Sequence, residues 1–307
     1  MSAESRFLTL LRLLANDPAA QGLQDDVAVL EIGGSRLILT SDTMVEGVHY
    51  LPADPPADIG WKLAAVNLSD LAAKGAKPIG CLLNYALSGD GDWDAAFLEG
   101  LGEALARHAM PLLGGDTVQM PKRAPRSYSL TALGEATGPV PVRGGAQAGD
   151  RLYLTGPVGD AGVGLDLLRT MSGASGPLVE AYRRPRPRLA EGALLARHVH
   201  AMMDVSDGLL IDAARMAEAS GLAVTIDHVP LSPALEAARG ASSAVQIAAA
   251  RAGDDYELLF ALPAAVRPPV RAIPVGRFAR GKGLTLMIDG VAFPLPGRLG
   301  WEHGSGL

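Results

Sequence analysis

The sequence predicts an α/β protein of the α+β type, with two domains that each carry a mixed sheet and helices on one side. Three observations lead there. At 307 residues, 48% of them hydrophobic, the chain can fill two cores of ordinary domain size. Short β-branched runs are interspersed with helix-like patterns along its whole length. Near the middle, the Gly- and Pro-rich stretch GPVPVRGGAQAGD at 138–150 reads as a boundary, dividing the chain into 1–140 and 147–307.

The first element is a helix in which Phe7, Leu10, Leu11 and Leu14 share a face; Arg12 interrupts it, so it is neither a leader nor a membrane anchor. VAVLEI (27–32) and SRLILT (35–40) flank Gly33-Gly34, the spacing of a two-residue hairpin. If Ile32 faces Ser35, then Glu31 faces Arg36, Val29 faces Ile38, Asp26 faces Ser41 and Asp25 faces Asp42. Facing carboxylates repel, and a cation between them would relieve the conflict; frayed, solvated ends are the alternative.

WKLAAVNLSDLAAK (61–74) reads as a helix ending at Gly75, with Asn67, Asp70 and Lys74 forming one polar stripe on an otherwise apolar surface. A buried helix would require a partner for Asp70, whereas a solvent-facing stripe would not. A helix over 93–108 leads to Gly114-Gly115-Asp116-Thr117, which reads as a turn.

In the second half, RLYLTG reads as a strand before a helix over 161–171. Gly156, Gly159 and Gly162 have the wrong spacing for a dinucleotide fingerprint and read as close packing. The segment from Gly276 to Gly283 imitates a phosphate loop, but Gly283 stands where a hydroxyl is required and a strand follows. The apolar run 199–204 ends in Asp204-Val205-Ser206-Asp207-Gly208, with Ser206 or Asp207 as the expected cap of a helix reaching Gly221. Gly253-Asp254-Asp255 precedes the strand LLFAL.

Charge narrows the function. Of 33 acidic residues 21 are Asp, and many sit at strand ends or beside Gly; such oxygen donors select magnesium, manganese or calcium. A net charge of −6 disfavours nucleic acid, and the lone Cys81 disfavours a disulfide framework or thiolate metal site, consistent with a cytoplasmic protein.

LQDDVAVL, LTSDTMVEGVHY, KLAAVNLSDLAAKGAKP, LLGGDT, VRGGAQAGD, MMDVSDGLLID and AGDDYELLF occur in an order and spacing that resembles the thiamine-monophosphate kinase family of the aminoimidazole-ribonucleotide synthetase superfamily. The resemblance runs from about the first helix to Trp301. It implies ATP-dependent phosphorylation of thiamine monophosphate to thiamine diphosphate, with several magnesium ions and a homodimer formed through the N-terminal sheets. By position, Asp26, Thr40, Ser41, Asp42, Asp70, Asp116, Asp204 and Asp207 would bind metal. Gly115, Asp116, Arg143 and Ser206 would hold ATP, and His49, Asp254 and Trp301 the substrate. Asp42, Asp70 and Arg143 would carry catalysis. Gln24 and Asp254 depart from the usual Gly and Glu: the first would alter that loop, and the second, one methylene shorter, would make its contact through water.

Two alternatives are another ATP-dependent enzyme of the superfamily and a non-catalytic divalent-metal-binding dimer. Cys81 in an apolar run and a Gly306-Leu307 end disfavour the cysteine-dependent superfamily members.

Overall fold

The computed structural model describes residues 3–121 and 124–303; the Gly306-Leu307 end lies outside them. α1 (Ala3–Leu11) and a 3-10 turn (Pro18–Leu23) precede the hairpin of β1 (Ala28–Ile32) and β2 (Ser35–Val45). Gly33 and Gly34 have φ of 60° and 88°, as a tight hairpin turn demands. The expected register holds from Ile32↔Ser35 to Ala28↔Leu39. Then come α2 (Pro56–Ala73), β3 (Lys77–Leu87), α3 (Gly91–Arg107), β4 (Leu112–Gln119) and β5 (Ser127–Ala136). They form a mixed sheet ordered β1-β2-β5-β3-β4, antiparallel except for β3 and β4, whose crossover is α3.

Gly114-Gly115-Asp116-Thr117 is therefore strand, not the expected turn. Parallel pairing with β3 captures it, and Gly115 at φ 150° approaches the Leu83 carbonyl so closely that a Cβ would lie 1.8 Å from its oxygen.

The second half contains β6 (Arg151–Leu154), α4 (Asp160–Thr170), α5 (Pro177–Arg183), α6 (Leu189–Leu195), β7 (Ala201–Asp204), α7 (Leu209–Ala219) and β8 (Ala223–Ile226). It continues with α8 (Pro233–Arg239), α9 (Ser243–Arg251), β9 (Leu258–Leu262), β10 (Ile273–Ala279), β11 (Gly283–Ile288) and β12 (Val291–Phe293). Its sheet runs β12-β11-β8-β10-β6-β9-β7. Leu152, Leu154, Met203 and Leu259 pack with α7, α8 and α9 on one face. The alternate residues Tyr153, Met202, Leu258 and Phe260 face Ala72 and Ala73 of α2 and Leu195 of α6.

α2 is thus covered from two directions. Leu63, Ala64, Leu68 and Leu71 pack on the first sheet, its last turn meets the second, and residues 59–73 are all buried. The structure selects the buried reading of this helix. α3 approaches it through glycines: a Cβ on Gly100 would sit 1.8 Å from the Ala57 carbonyl oxygen, and one on Gly60 2.1 Å from that of Phe97. Gly100→Ala is expected to cost about 1–3 kcal/mol by forcing the helices apart. A urea titration should show a lower midpoint at unchanged slope, and an unaltered midpoint would count against this packing.

Candidate metal and phosphate site

Because α2 is interior, each of its polar groups needs a partner, and these partners assemble the site. Asp70, 8% exposed, accepts from the Thr40 hydroxyl of β2 at 2.5 Å. Asn67 takes the Asp42 backbone N–H at 3.1 Å. Ser69 donates to Asp204, at the end of β7, at 2.6 Å. Lys74 pairs with Asp25 at 2.5 Å, so the expected opposition of Asp25 and Asp42 does not arise. The β1–β2 ladder ends at Ala28, and Asp25 turns to Lys74 and to the Arg143 N–H at 3.1 Å. The Arg143 guanidinium holds Asp26.

One carboxylate oxygen from each of Asp26, Asp70 and Asp204 lies within 4.8 Å of the others. Burial, reinforced by neighbouring Asp42 and Asp204, holds Asp70 well above the usual carboxylate range. Burial and Asp26 push Asp204 up to about 8, against the Ser69 bond, and Asp42 up to about 6. Asp26 is the exception: burial raises it, but Arg143 and Lys74 outweigh burial and leave it lowered. Full ionisation of this group requires positive charge in its midst, and its donors are the hard oxygens that magnesium prefers.

The DVSDG loop differs from the capping expectation. Gly208 occupies the cap position of α7 with no side-chain bond. Asp212 instead accepts the Asp207 and Gly208 N–H groups at 3.1 and 3.2 Å, while Arg215 holds both Asp207 and Asp212. Burial and Asp207 push Asp212 up to about 7.

Asp26, Asp70 and Asp204 line a cavity of about 1010 Å³ together with Thr40, Ser41, Asp42, Ser206 and Asp207, whereas Arg143, Asp212 and Arg215 stand outside its lining. The same cavity is lined by His49, Lys62, Arg169, Tyr182, Arg251, Asp254 and Trp301. His49 accepts the Val45 N–H at Nδ1, 3.0 Å away, and burial followed by His303 lowers its pKa, leaving a neutral ring protonated at Nε2. Trp301 is tied down by its N–H to the Asp207 carbonyl at 3.0 Å. Gly115 and Asp116 are not in the lining: they sit on β4, exposed, with Asp116 bonded to the Thr117 N–H at 2.9 Å. The glycines of 156–164 pack closely, Gly164 against the Leu178 carbonyl and Gly159 against Ala249.

Three kinds of likeness to known proteins bear on the site. The AIR synthase related protein N-terminal domain matches residues 24–136, and the corresponding C-terminal domain matches 147–289. The thiamine-monophosphate kinase of Caulobacter vibrioides is 38% identical, over 96% of this chain and 89% of that protein. This chain belongs to the thiamine-monophosphate kinase family. The Aquifex aeolicus kinase is 30% identical over 96% of both chains. Among solved structures, AaThiL complexed with AMPPCP and TMP superposes with a TM-score of 0.86 at 29% identity, covering 97% of this chain and 96% of that one. The Stenotrophomonas maltophilia kinase gives 0.77 at 36%, covering 92% and 95%.

In this kinase, Ser69, Lys62 and Arg215 were not among the residues read as functional from sequence. Lys62 and Ser69 lie off the Asn67–Asp70–Lys74 stripe, and their partners, Asp254 and Asp204, come from the other half of the chain. Arg215 stands on α7 at i+3 from Asp212, a spacing that could have suggested the pair.

The raised carboxyls make the metal-free protein sensitive to pH. Between about pH 4 and 8, Asp42, Asp204 and Asp212 retain protons in the fold that the unfolded chain has released, so stability falls as pH rises, and raised Asp70 adds in the same direction. Asp26, lowered, is ionised throughout the upper part of that window. In a chelator, thermal melts should show a lower Tm at pH 8 than at pH 6, and added magnesium or manganese should raise Tm more at pH 8. A metal effect independent of pH would contradict the arrangement.

Proposed function

We propose that the chain transfers the γ-phosphoryl group of ATP directly to the phosphate of thiamine monophosphate, giving thiamine diphosphate and ADP. The observation that carries this reading is the convergence of Asp26, Asp70 and Asp204, from three separate segments, in the wall of a cavity also lined by His49, Lys62, Asp254 and Trp301. It is supported by the likeness to AaThiL complexed with AMPPCP and TMP.

The acceptor is a phosphate oxygen already anionic near neutral pH, so no general base is needed and a neutral His49 is no obstacle. Repulsion between the two phosphates is the main barrier. We assign Asp26, Thr40, Ser41, Asp42, Asp70, Asp204 and Asp207 to magnesium, which when bound would offset phosphate charge in an in-line transfer; Asp116 is assigned with them by the resemblance alone, since it stands on exposed β4 outside the cavity lining. Arg143, already held by Asp26 and adjoining Asp25, adds a fixed positive charge. Gly115, Asp116, Arg143 and Ser206 are assigned to ATP, and His49, Asp254 and Trp301 to the thiamine phosphate.

We assign 1–140 to ATP and magnesium binding and dimerisation, and 147–307 to the second domain. A homodimer is supported by edge strand β4, exposed over its whole length with Leu112, Leu113 and Val118 uncovered. No helix among the described residues is long and apolar enough to cross a membrane. A cytoplasmic setting is the reading we favour, given one buried Cys81.

ADP release, measured by a coupled assay, should require thiamine monophosphate; release with thiamine as the only effective acceptor would overturn the reading. Asp42→Asn and Asp70→Asn should each lower kcat by about a hundredfold or more with the fold retained by circular dichroism. Near-normal turnover of both at saturating magnesium would remove the metal role.

A further inference from the structure

Lys62 has no place in the ligand assignments above, yet it lines the same cavity as His49 and Asp254 and is almost wholly buried. Its side chain is only 3% exposed. The ammonium donates to the Asp254 carboxylate at 2.7 Å and to the His49 carbonyl at 3.2 Å, and lies 4.0 Å from the centre of the Tyr182 ring. Each partner comes from a different segment: His49 from the turn after β2, Tyr182 from α5, and Asp254 from the loop before β9.

That last loop is held in an unfavourable shape. Asp254 and Tyr256 have φ of 66° and 51°, left-handed conformations that a Cβ disfavours and that persist only where the surroundings enforce them. The enforcing contacts are visible: one Asp254 oxygen takes Lys62, the other takes the Tyr256 hydroxyl at 3.0 Å, and the Asp254 and Tyr256 N–H groups bond to the Ser206 and Val205 carbonyls at 2.8 Å. An apolar residue at position 62 would pack a buried helix at less desolvation cost. Bonded to both polar partners, a lysine there keeps them at a set spacing.

We propose that Lys62 is a positioning residue for the substrate, a buried ammonium that holds the His49 turn and the Asp254 loop at the separation thiamine monophosphate requires. The inference rests on the assignment of His49 and Asp254 to the substrate. Its consequence is that Asp254 meets the ligand as half of a neutral pair. It acts as a hydrogen-bond acceptor of fixed direction, and attraction to the thiazolium charge is weakened.

Steady-state kinetics on the full-length enzyme test this. Lys62→Met should raise KM for thiamine monophosphate about tenfold or more, the scale of a lost hydrogen bond to a charged group. KM for ATP and kcat should stay within about twofold, the signature of lost ground-state positioning. In an Asp254→Asn background the same change should have a smaller effect than alone, because one of the two links of Lys62 is already weakened. Lys62→Gln, which keeps a donor for the His49 carbonyl, should fall between, and it serves as the folded control should Lys62→Met not fold. If Asp254→Asn raises KM while neither Lys62 variant does, or if the two changes multiply, the positioning role is overturned. If Asp254→Asn and His49→Gln both leave KM for thiamine monophosphate unaltered, it is the substrate assignment that fails.

Discussion

A helix buried on every side carries a charge only if another element supplies its partner, and α2 carries several. Lys62, Asn67, Ser69, Asp70 and Lys74 all lie within its buried stretch or at its C-terminal cap. They are satisfied from four pieces of chain: the Asp254 loop, β2 through Thr40 and the Asp42 backbone, Asp204 of β7, and Asp25 ahead of β1. Since an unpartnered group there would cost more than most single contacts return, these five links fix where β1, β2, β7 and the loop before β9 stand relative to one another. The cavity is what remains between them.

The same constraint explains the electrostatics. Carboxylates brought together by α2 cannot all ionise in a place largely shielded from water, so Asp42, Asp70 and Asp204 are raised while Asp26, under Arg143, is lowered. Folding thus works against full ionisation of this cluster, a cost that positive charge among the carboxylates would offset. An acidic chain and a polyphosphate substrate are compatible for this reason: net charge describes the surface as a whole, whereas recognition is decided over a few ångströms.

Much of this was legible in local pattern. Diglycine between two β-branched runs specified the hairpin and its register through Ala28↔Leu39. The i, i+3, i+7 spacing of Asn67, Asp70 and Lys74 put them on one stripe. Where the reading failed, a distant partner had intervened. Lys74 drew Asp25 away from Asp42; β3 drew Gly114–Thr117 into a sheet; Asp212 fixed the turn through the Asp207 and Gly208 N–H groups, leaving Gly208 rather than Ser206 or Asp207 at the cap of α7. The buried and solvent-facing readings of α2 have the same sequence pattern, and only the second sheet, arriving from beyond residue 150, distinguishes them.

Sequence by itself determined the elements, the hairpin register, the surplus of short carboxylates and the family, because these depend on neighbours a few positions apart or on motifs preserved as words. Tertiary structure alone decided which acids meet. It gathered Asp26, Asp70 and Asp204 and placed Lys62 between His49 and Asp254, while leaving Asp116 on an exposed edge of the single chain. The reason is physical: a charge pair depends on separation in space and on the water excluded around it, and neither quantity is written in the spacing along the chain.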